Sequence, residues 1–168
     1  MSAKKEFVEN STKNQIRQFV CFKLAEEEYA LDITYVKEVI RVPRVTYIPQ
    51  MPDFCQGVIN IRGNVIGLFD LKKILVLKSK EHAKIPKILV TSIDGLEISL
   101  VVDEILENIK LHENEIEPAP SVKMHVNRAC IQGVAKPEKR LITLLDLPKI
   151  HETIKQMLSE TKTELAIS

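Results

Sequence analysis

The chain has no tryptophan, and aromatic residues make up only 5% of its 168 positions. Single-stranded nucleic acid is usually held on aromatic platforms set among basic side chains, so a nucleic-acid-binding barrel is disfavoured. Charge of one sign is missing as well. The 24 Lys and Arg face 23 Asp and Glu for a net charge of +1, which leaves no bulk attraction for nucleic acid or anionic lipid. The five glycines are scattered, and there is neither a G-x-x-x-x-G-K-[ST] phosphate loop nor a G-x-S-x-G nucleophile elbow. Cys21, Cys55 and Cys130 lie far apart with no C-x-x-C pair and read as reduced thiols. Cys55 has no recognisable base beside it and reads as a packing residue rather than a nucleophile. His82, His112, His125 and His151 are not spaced as ligands, so no metal or other cofactor is expected. No apolar run approaches the roughly 18 residues that span a bilayer, and Met1 to Asn14 lacks the hydrophobic stretch of a secretory signal. A cytoplasmic, non-enzymatic protein is the expectation, with any membrane association supplied by a partner.

What the chain does have is enough apolar residue for a packed core, 45% against 28% charged, and an internal repeat. Gly57-Val58 is followed by Asp70-Leu71-x-Lys73-Ile74. Gly133-Val134 is followed at the same spacing by Asp146-Leu147-x-Lys149-Ile150. An upstream echo pairs Val36-x-Glu38-Val39-Ile40 with Val102-x-Glu104-Ile105-Leu106. Two copies of this length mean two similar modules rather than a solenoid, which needs shorter periods and more copies.

Within each copy the pattern is short strands and turns. Gln18–Leu24 and Tyr29–Ile33 read as strands across the polar Ala25-Glu26-Glu27-Glu28 turn. Lys87–Ser92 and Leu96–Val102 form a hairpin across Asp94-Gly95, because glycine tolerates positive φ. Residues 57–61 and 65–70 pair across Arg62-Gly63-Asn64, and their counterparts are 129–134 and 140–145. Val36–Ile40 and Val102–Leu106 have apolar residues at helical spacing and read as a helical turn or an irregular crossover. Pro43, Pro49, Pro52, Pro118 and Pro120 mark extended connections. Asp70 and Asp146 each end a strand before a helical pattern, where a carboxylate accepts from free amides of the first turn. Pro148 to Leu158 reads as an amphipathic helix with proline suited to its first turn. The forecast is an all-β protein of two small barrels. It has a flexible tail at 1–15, a body at 16–150 divided near residue 80 into 16–80 and 81–150 with strand exchange allowed, and a C-terminal helix and frayed tail at 151–168. The linker falls within 72–87, around Lys78-Ser79-Lys80-Glu81-His82.

The run Gly57-Val-Ile-Asn60-Ile-Arg62-Gly63-x-Val65-Ile-x-x-x-Asp70-Leu71 resembles the signature of the CheW family of chemotaxis coupling proteins. Further marks are Phe19-Val-x-Phe22, Glu28-Tyr29-Ala-Leu-Asp32-Ile33, Val101-Val102-Asp103-Glu104-Ile105-Leu106-Glu107, Ile116-x-Pro118-Ala119-Pro120 and Leu144-Leu145-Asp146-Leu147. Together they cover about residues 16–150. One departure is Gly67, where family members often carry proline. The resemblance implies two SH3-like five-stranded β-barrels packed side by side. It also implies an adaptor that bridges the CheW-like regulatory domain of the chemotaxis histidine kinase to the cytoplasmic hairpin tip of methyl-accepting chemoreceptors. Such a protein is recruited to the inner membrane face without inserting into it. Alternatives are an adaptor of another chemosensory-type pathway and, from a different class, a regulatory subunit of a small enzyme.

On this view a receptor helix lays an apolar stripe into a groove between the barrels. Val36, Val39, Ile59 and Val102 are the expected receptor contacts, with Arg62 at the rim. An arginine on a tight turn is exposed, and its planar fork can hold a carboxylate or backbone carbonyls. Glu38, Gly57 and Asn60 are nominated for the kinase.

Overall fold

The computed structural model describes residues 15–78, 85–119 and 127–167, with side chains described to residue 160. Eleven strands are seen there. They are β1 (Ile16–Leu24), β2 (Glu27–Asp32), β3 (Val36–Arg41), β4 (Val45–Thr46), β5 (Cys55–Ile61), β6 (Asn64–Asp70), β7 (Lys87–Ile93), β8 (Leu96–Val102), β9 (Glu104–His112), β10 (Ile131–Ala135) and β11 (Ile142–Leu145). A short helix α1 (Leu71–Ile74) follows β6, and α2 (Leu147–Ile167) follows β11. One sheet has the order β10-β11-β2-β1-β9, the other β3-β7-β8-β6-β5-β4. Apart from the two-residue β4, the orders correspond strand for strand. Each module is two antiparallel hairpins joined by a parallel pair, with a fifth strand at one edge. The parallel registers agree: Leu68 lies opposite Ser99 in one module and Leu144 opposite Ala30 in the other.

Sheet membership does not follow the halves 16–80 and 81–150. One sheet uses β3 to β8, a continuous middle segment, while the other combines β1 and β2 with β9, β10 and β11. The expected exchange of strands therefore takes in the whole first hairpin. The N-terminal tail, the linker residues 79–84 with His82, and the stretch holding Pro120 and His125 lie outside the described residues.

The repeated Gly–Asp motif has a physical basis. Gly57 and Gly133 both sit at register shifts, between Cys55 and Gly57 on β5 and between Ile131 and Gly133 on β10. A Cβ on Gly57 would stand 2.2 Å from the Thr46 carbonyl oxygen, and one on Gly133 would stand 2.6 Å from that of Glu117. In both copies a crossing backbone occupies the space of a side chain, which restricts a bulged position to glycine. The two aspartates cap helices as expected: Asp70 accepts from the Lys72 N–H at 3.0 Å and Asp146 from the Lys149 N–H at 3.1 Å. Their own N–H groups donate to Phe54 and Cys130 carbonyls at equivalent places, both at 2.8 Å.

The upstream echo has no such basis. Val36 opens β3, whereas Val102 closes β8. Nor is Val36–Ile40 helical. It is a strand that follows a 3-10 turn at Ile33–Tyr35, and residues 104–106 belong to β9. The helical spacing comes from a bulge. Val36 pairs with Thr91 and Val39 with Leu89, with a register shift between Val36 and Glu38. Thr91 and Leu89, two apart on β7, point to one side, so Val36 and Val39 do too, although they are three apart. At the C-terminus, α2 begins at Leu147 and continues through 161–167, where fraying was expected.

Among the described residues three apolar clusters form the core. Phe19, Cys21, Ala30, Leu111, Ile142 and Leu144 belong to the interior of one module. Ile59, Ile66, Leu68, Ile88 and Val90 do the same in the other. The largest cluster lies between the modules and draws on both: Val20, Phe22, Tyr29 and Leu31 meet Phe69, Leu89, Leu100 and Val102. Both faces of β1, β2, β7 and β8 are thus buried, one inside the module and one in the seam. These strands accordingly read as unbroken apolar runs. The helices close the seam with Leu71 and Ile74 from α1 and Leu147, Ile150 and Ile154 from α2.

Among the described residues four turns carry two consecutive positive φ values: Ala25-Glu26, Arg62-Gly63, Asp94-Gly95 and Glu138-Lys139. This is the primed-turn geometry that matches the twist of flanking strands. Beside the first, Asp103 accepts from the Ala25 N–H at 2.8 Å and forms an ion pair with Lys72 at 2.8 Å. Asp32 is held below the ordinary carboxylate range. Burial alone would raise it, but the Thr34 N–H and hydroxyl and the Arg17 guanidinium outweigh that.

Among the described residues two buried side-chain polar atoms have no partner, the Ser99 hydroxyl and His151 Nε2. Ser99 stands where the other module has Ala30. Ser99→Ala is expected to stabilise the fold by about 1 kcal/mol, because an unpaired buried hydroxyl is removed; urea unfolding measures it. His151 is held below its ordinary value by burial and then by the Lys155 charge. The unfolded chain therefore binds a proton at a pH where the folded chain does not, and stability falls as pH drops below about 6.5. In His151→Gln this component of the fall should vanish when urea midpoints at pH 7.5 and below 6 are compared.

Candidate docking surface

Strand β3 ends its sheet and lies on the outer wall of the middle module. Val36 packs half-buried against the seam cluster, while Val39 on the same side is 43% exposed. Glu38 is turned the other way by the bulge, and its carboxylate meets Arg62 Nη2 at 2.7 Å. Arg62 reaches it from the β5–β6 turn at the opposite end of the sheet order. The pair therefore spans the gap between the two edges, beneath which Ile40, Val45 and Ile61 pack on one cluster.

The turn is built to present Arg62. Its φ of 51° is strained for a residue with a side chain. Gly63 supplies the second positive φ, and the Gly63 N–H donates to the Asn60 side-chain oxygen at 2.9 Å. The Arg62 side chain stays 72% exposed. An ion pair this open contributes at most about 1 kcal/mol, so its effect is to fix the direction of the guanidinium rather than to hold the barrel together. Across the hairpin, Val65 pairs with Asn60 and is itself 69% exposed.

The nominated residues therefore separate into two groups. Val39, Arg62 and Asn60 are exposed, while Val36 and Glu38 are half-buried on opposite sides of β3. Glu38 and Arg62, assigned to different partners, are bonded to each other. Ile59 and Val102 do not line a groove. Ile59 is 1% exposed inside the module, and Val102 is fully buried in the seam. The alternation of β5 and β8 sends these two side chains inward: on β5 the exposed Gln56 and Asn60 mark the outer face, while β8 is apolar on both sides near Val102 and offers no such mark. Gly57 is buried at its bulge. Val65 and Tyr47, the latter 73% exposed, add exposed apolar surface that the sequence reading does not single out. A valine just beyond a turn, and a tyrosine in a proline-marked connection, were the available signals.

The site offers contact rather than bond-making. Burial pushes the Cys21 thiol up to about 12 and raises Cys55 and Cys130 as well. All three are therefore held as buried neutral thiols, poor nucleophiles at neutral pH. Among the described residues no group of three or more His, Cys, Asp or Glu is arranged to hold a metal ion, and no helix is long and apolar enough to cross a membrane.

Paired β modules with an exposed valine on an edge strand and a braced arginine have the build of a docking module. Comparison with known proteins narrows that class. The chain matches the family model of the CheW-like domain over residues 18–155, and it belongs to that family. It is 29% identical over 136 residues to the chemotaxis protein CheW of Helicobacter pylori, covering 81% of this chain and 82% of that one. It is 32% identical over 129 residues to the chemotaxis protein CheW of Bacillus subtilis, covering 77% and 83%. The crystal structure of the scaffolding protein TtCheW from Thermoanaerobacter tengcongensis superposes with a TM-score of 0.72 at 38% identity, covering 79% of this chain and 86% of that one. The two SH3-like modules and the C-terminal helix are those of this family.

Gly57 acts on the surface only through the backbone. With φ at +136° and the Thr46 carbonyl in the way, Gly57→Ala should destabilise the fold by about 3 kcal/mol. A lowered urea midpoint, with partner capture lost only in proportion to the folded fraction, is the expected result.

Proposed function

We propose that the chain is a non-enzymatic scaffold that couples the cytoplasmic tip of methyl-accepting chemoreceptors to the CheW-like regulatory domain of the chemotaxis histidine kinase. The observation that carries this reading is the pairing of Arg62 with Glu38 beside the exposed Val39. A directional cation stands at the rim of an apolar strand face, and a receptor helix needs both. Val36 and Val39 would take its apolar stripe, and Arg62 would set its orientation more than its affinity. Ile59 and Val102 serve from below, by holding β5 and β8 in place. Glu38, Asn60 and the Gly57 bulge shape the hairpin end that faces the kinase in this reading. Family membership and the scaffold role given to TtCheW support it. The location is the cytoplasm, with recruitment to the membrane through the receptor. Individually weak contacts suffice, because several in one array add through effective concentration.

Arg62→Glu should reduce capture of a receptor cytoplasmic fragment in a pull-down about tenfold or more, because it reverses the rim charge and repels Glu38. Circular dichroism should remain that of the parent. Unchanged capture would show that the receptor docks elsewhere.

A further inference from the structure

Charged side chains on these sheets mostly pair with one another. Arg17 holds Asp32, Arg140 holds Glu28 and Glu107, and Lys37 holds Glu97. Arg41 breaks the pattern. Its partner directly across the β3–β7 ladder is Lys87, and neither makes an ion pair with any described residue. Like charges directly opposite each other weaken a strand pair. The carboxylates that follow β8 are engaged elsewhere, Asp103 by Lys72 and the Ala25 N–H, and Glu104 by Lys23 at 3.9 Å.

The position of this pair gives it a use. Leu89 and Lys87 alternate to the same side of β7, so Val39 and Arg41, their partners, share one side of β3. Running along that strand are half-buried Val36, exposed Val39 and then Arg41, with half-buried Lys87 opposite and exposed Val42 next in the chain. We infer that Arg41 and Lys87 together receive a carboxylate of the partner helix that lies on Val36 and Val39. This rests on the receptor reading above and specifies the partner's chemistry. Two strand residues span about 6.6 Å, and a helix rises about 1.5 Å per residue. A helix aligned with β3 therefore carries its Asp or Glu about one turn beyond the apolar residue that covers Val39. Binding relieves the repulsion the free protein carries, and two cations on one carboxylate make charge-assisted hydrogen bonds.

The test uses the full chain and a purified cytoplasmic hairpin fragment of a methyl-accepting receptor, at low and high salt. Arg41→Glu sets opposite charges across the ladder, so its melting temperature should rise while capture falls about tenfold or more. Misfolding cannot produce that combination. Reversing both positions, Arg41→Glu with Lys87→Glu, should restore capture of a fragment whose acidic residue is changed to Lys. Parental capture by Arg41→Glu and by the double variant would overturn the inference. If Val39→Glu still abolished capture in that case, the receptor reading would stand without it. If Val39→Glu also had no effect, both would fall. Sedimentation with phosphatidylglycerol vesicles that depends on Arg41, with receptor capture unchanged, would assign the pair to a lipid surface and overturn the proposal as well.

Discussion

The apolar seam between the modules is the constraint from which the rest follows. Each module's own interior is small, and the outward faces of β1, β2, β7 and β8 are as apolar as the inward ones. Exposed, those outward faces would form a patch far larger than a soluble surface tolerates. Set against each other, they make the largest cluster in the molecule, with Phe22, Tyr29, Phe69, Leu89 and Leu100 at its heart. Neither module is complete without the other. The helices belong to the same arrangement: Asp70 and Asp146 turn the chain out of β6 and β11 so that Leu71, Ile74, Leu147 and Ile150 drop into the seam. A docking surface on such a body sits on a rigid support, which lowers the ordering cost of each contact.

The two modules are alike in architecture and unlike in what they display. The position of Val39 on β3 corresponds, through the matching bulges, to Asn108 on β9, and that of Val36 to Ile105. The counterpart of the Arg62-Gly63 turn is Glu138-Lys139, which has no glycine and lies within a 3-10 turn that opens on Pro137. The features proposed for docking are thus concentrated on the module formed by the middle of the chain. The other module keeps the fold and has charged network residues such as Arg140 at the equivalent end.

Much of this was legible in the residues. The hairpin strands, the helix-capping aspartates and the duplicated architecture all follow from short-range chemistry that leaves a mark in the sequence. The exposed arginine turn did so too. Bulges did not. An extra residue in β3 set Val36 and Val39 on one side of a strand while imitating the spacing of a helix. The assignment of Val102 to a groove failed because a strand buried on both faces shows no alternation to orient it, whereas Ile59 alternates with the polar Gln56 and Asn60, which mark its side of β5 as the inner one. Which hairpin joins which sheet was equally hidden, since the same hydrophobic pattern suits either partner. The cation pair at Arg41 and Lys87 depends on a register that brings together residues more than forty positions apart.

The division of strands between the sheets also orders events during synthesis. The middle module is continuous, and all of its strands have been made once Val102 has left the ribosome. The first hairpin, made before any of them, has to wait with Phe19, Cys21 and Ala30 without the rest of their own interior until β9, β10 and β11 are translated. The finished middle module presents the outward faces of β7 and β8 meanwhile, a template on which the waiting hairpin can rest. The seam thus shields the growing chain before it stabilises the finished one, and loss of residues from either terminus injures the same module.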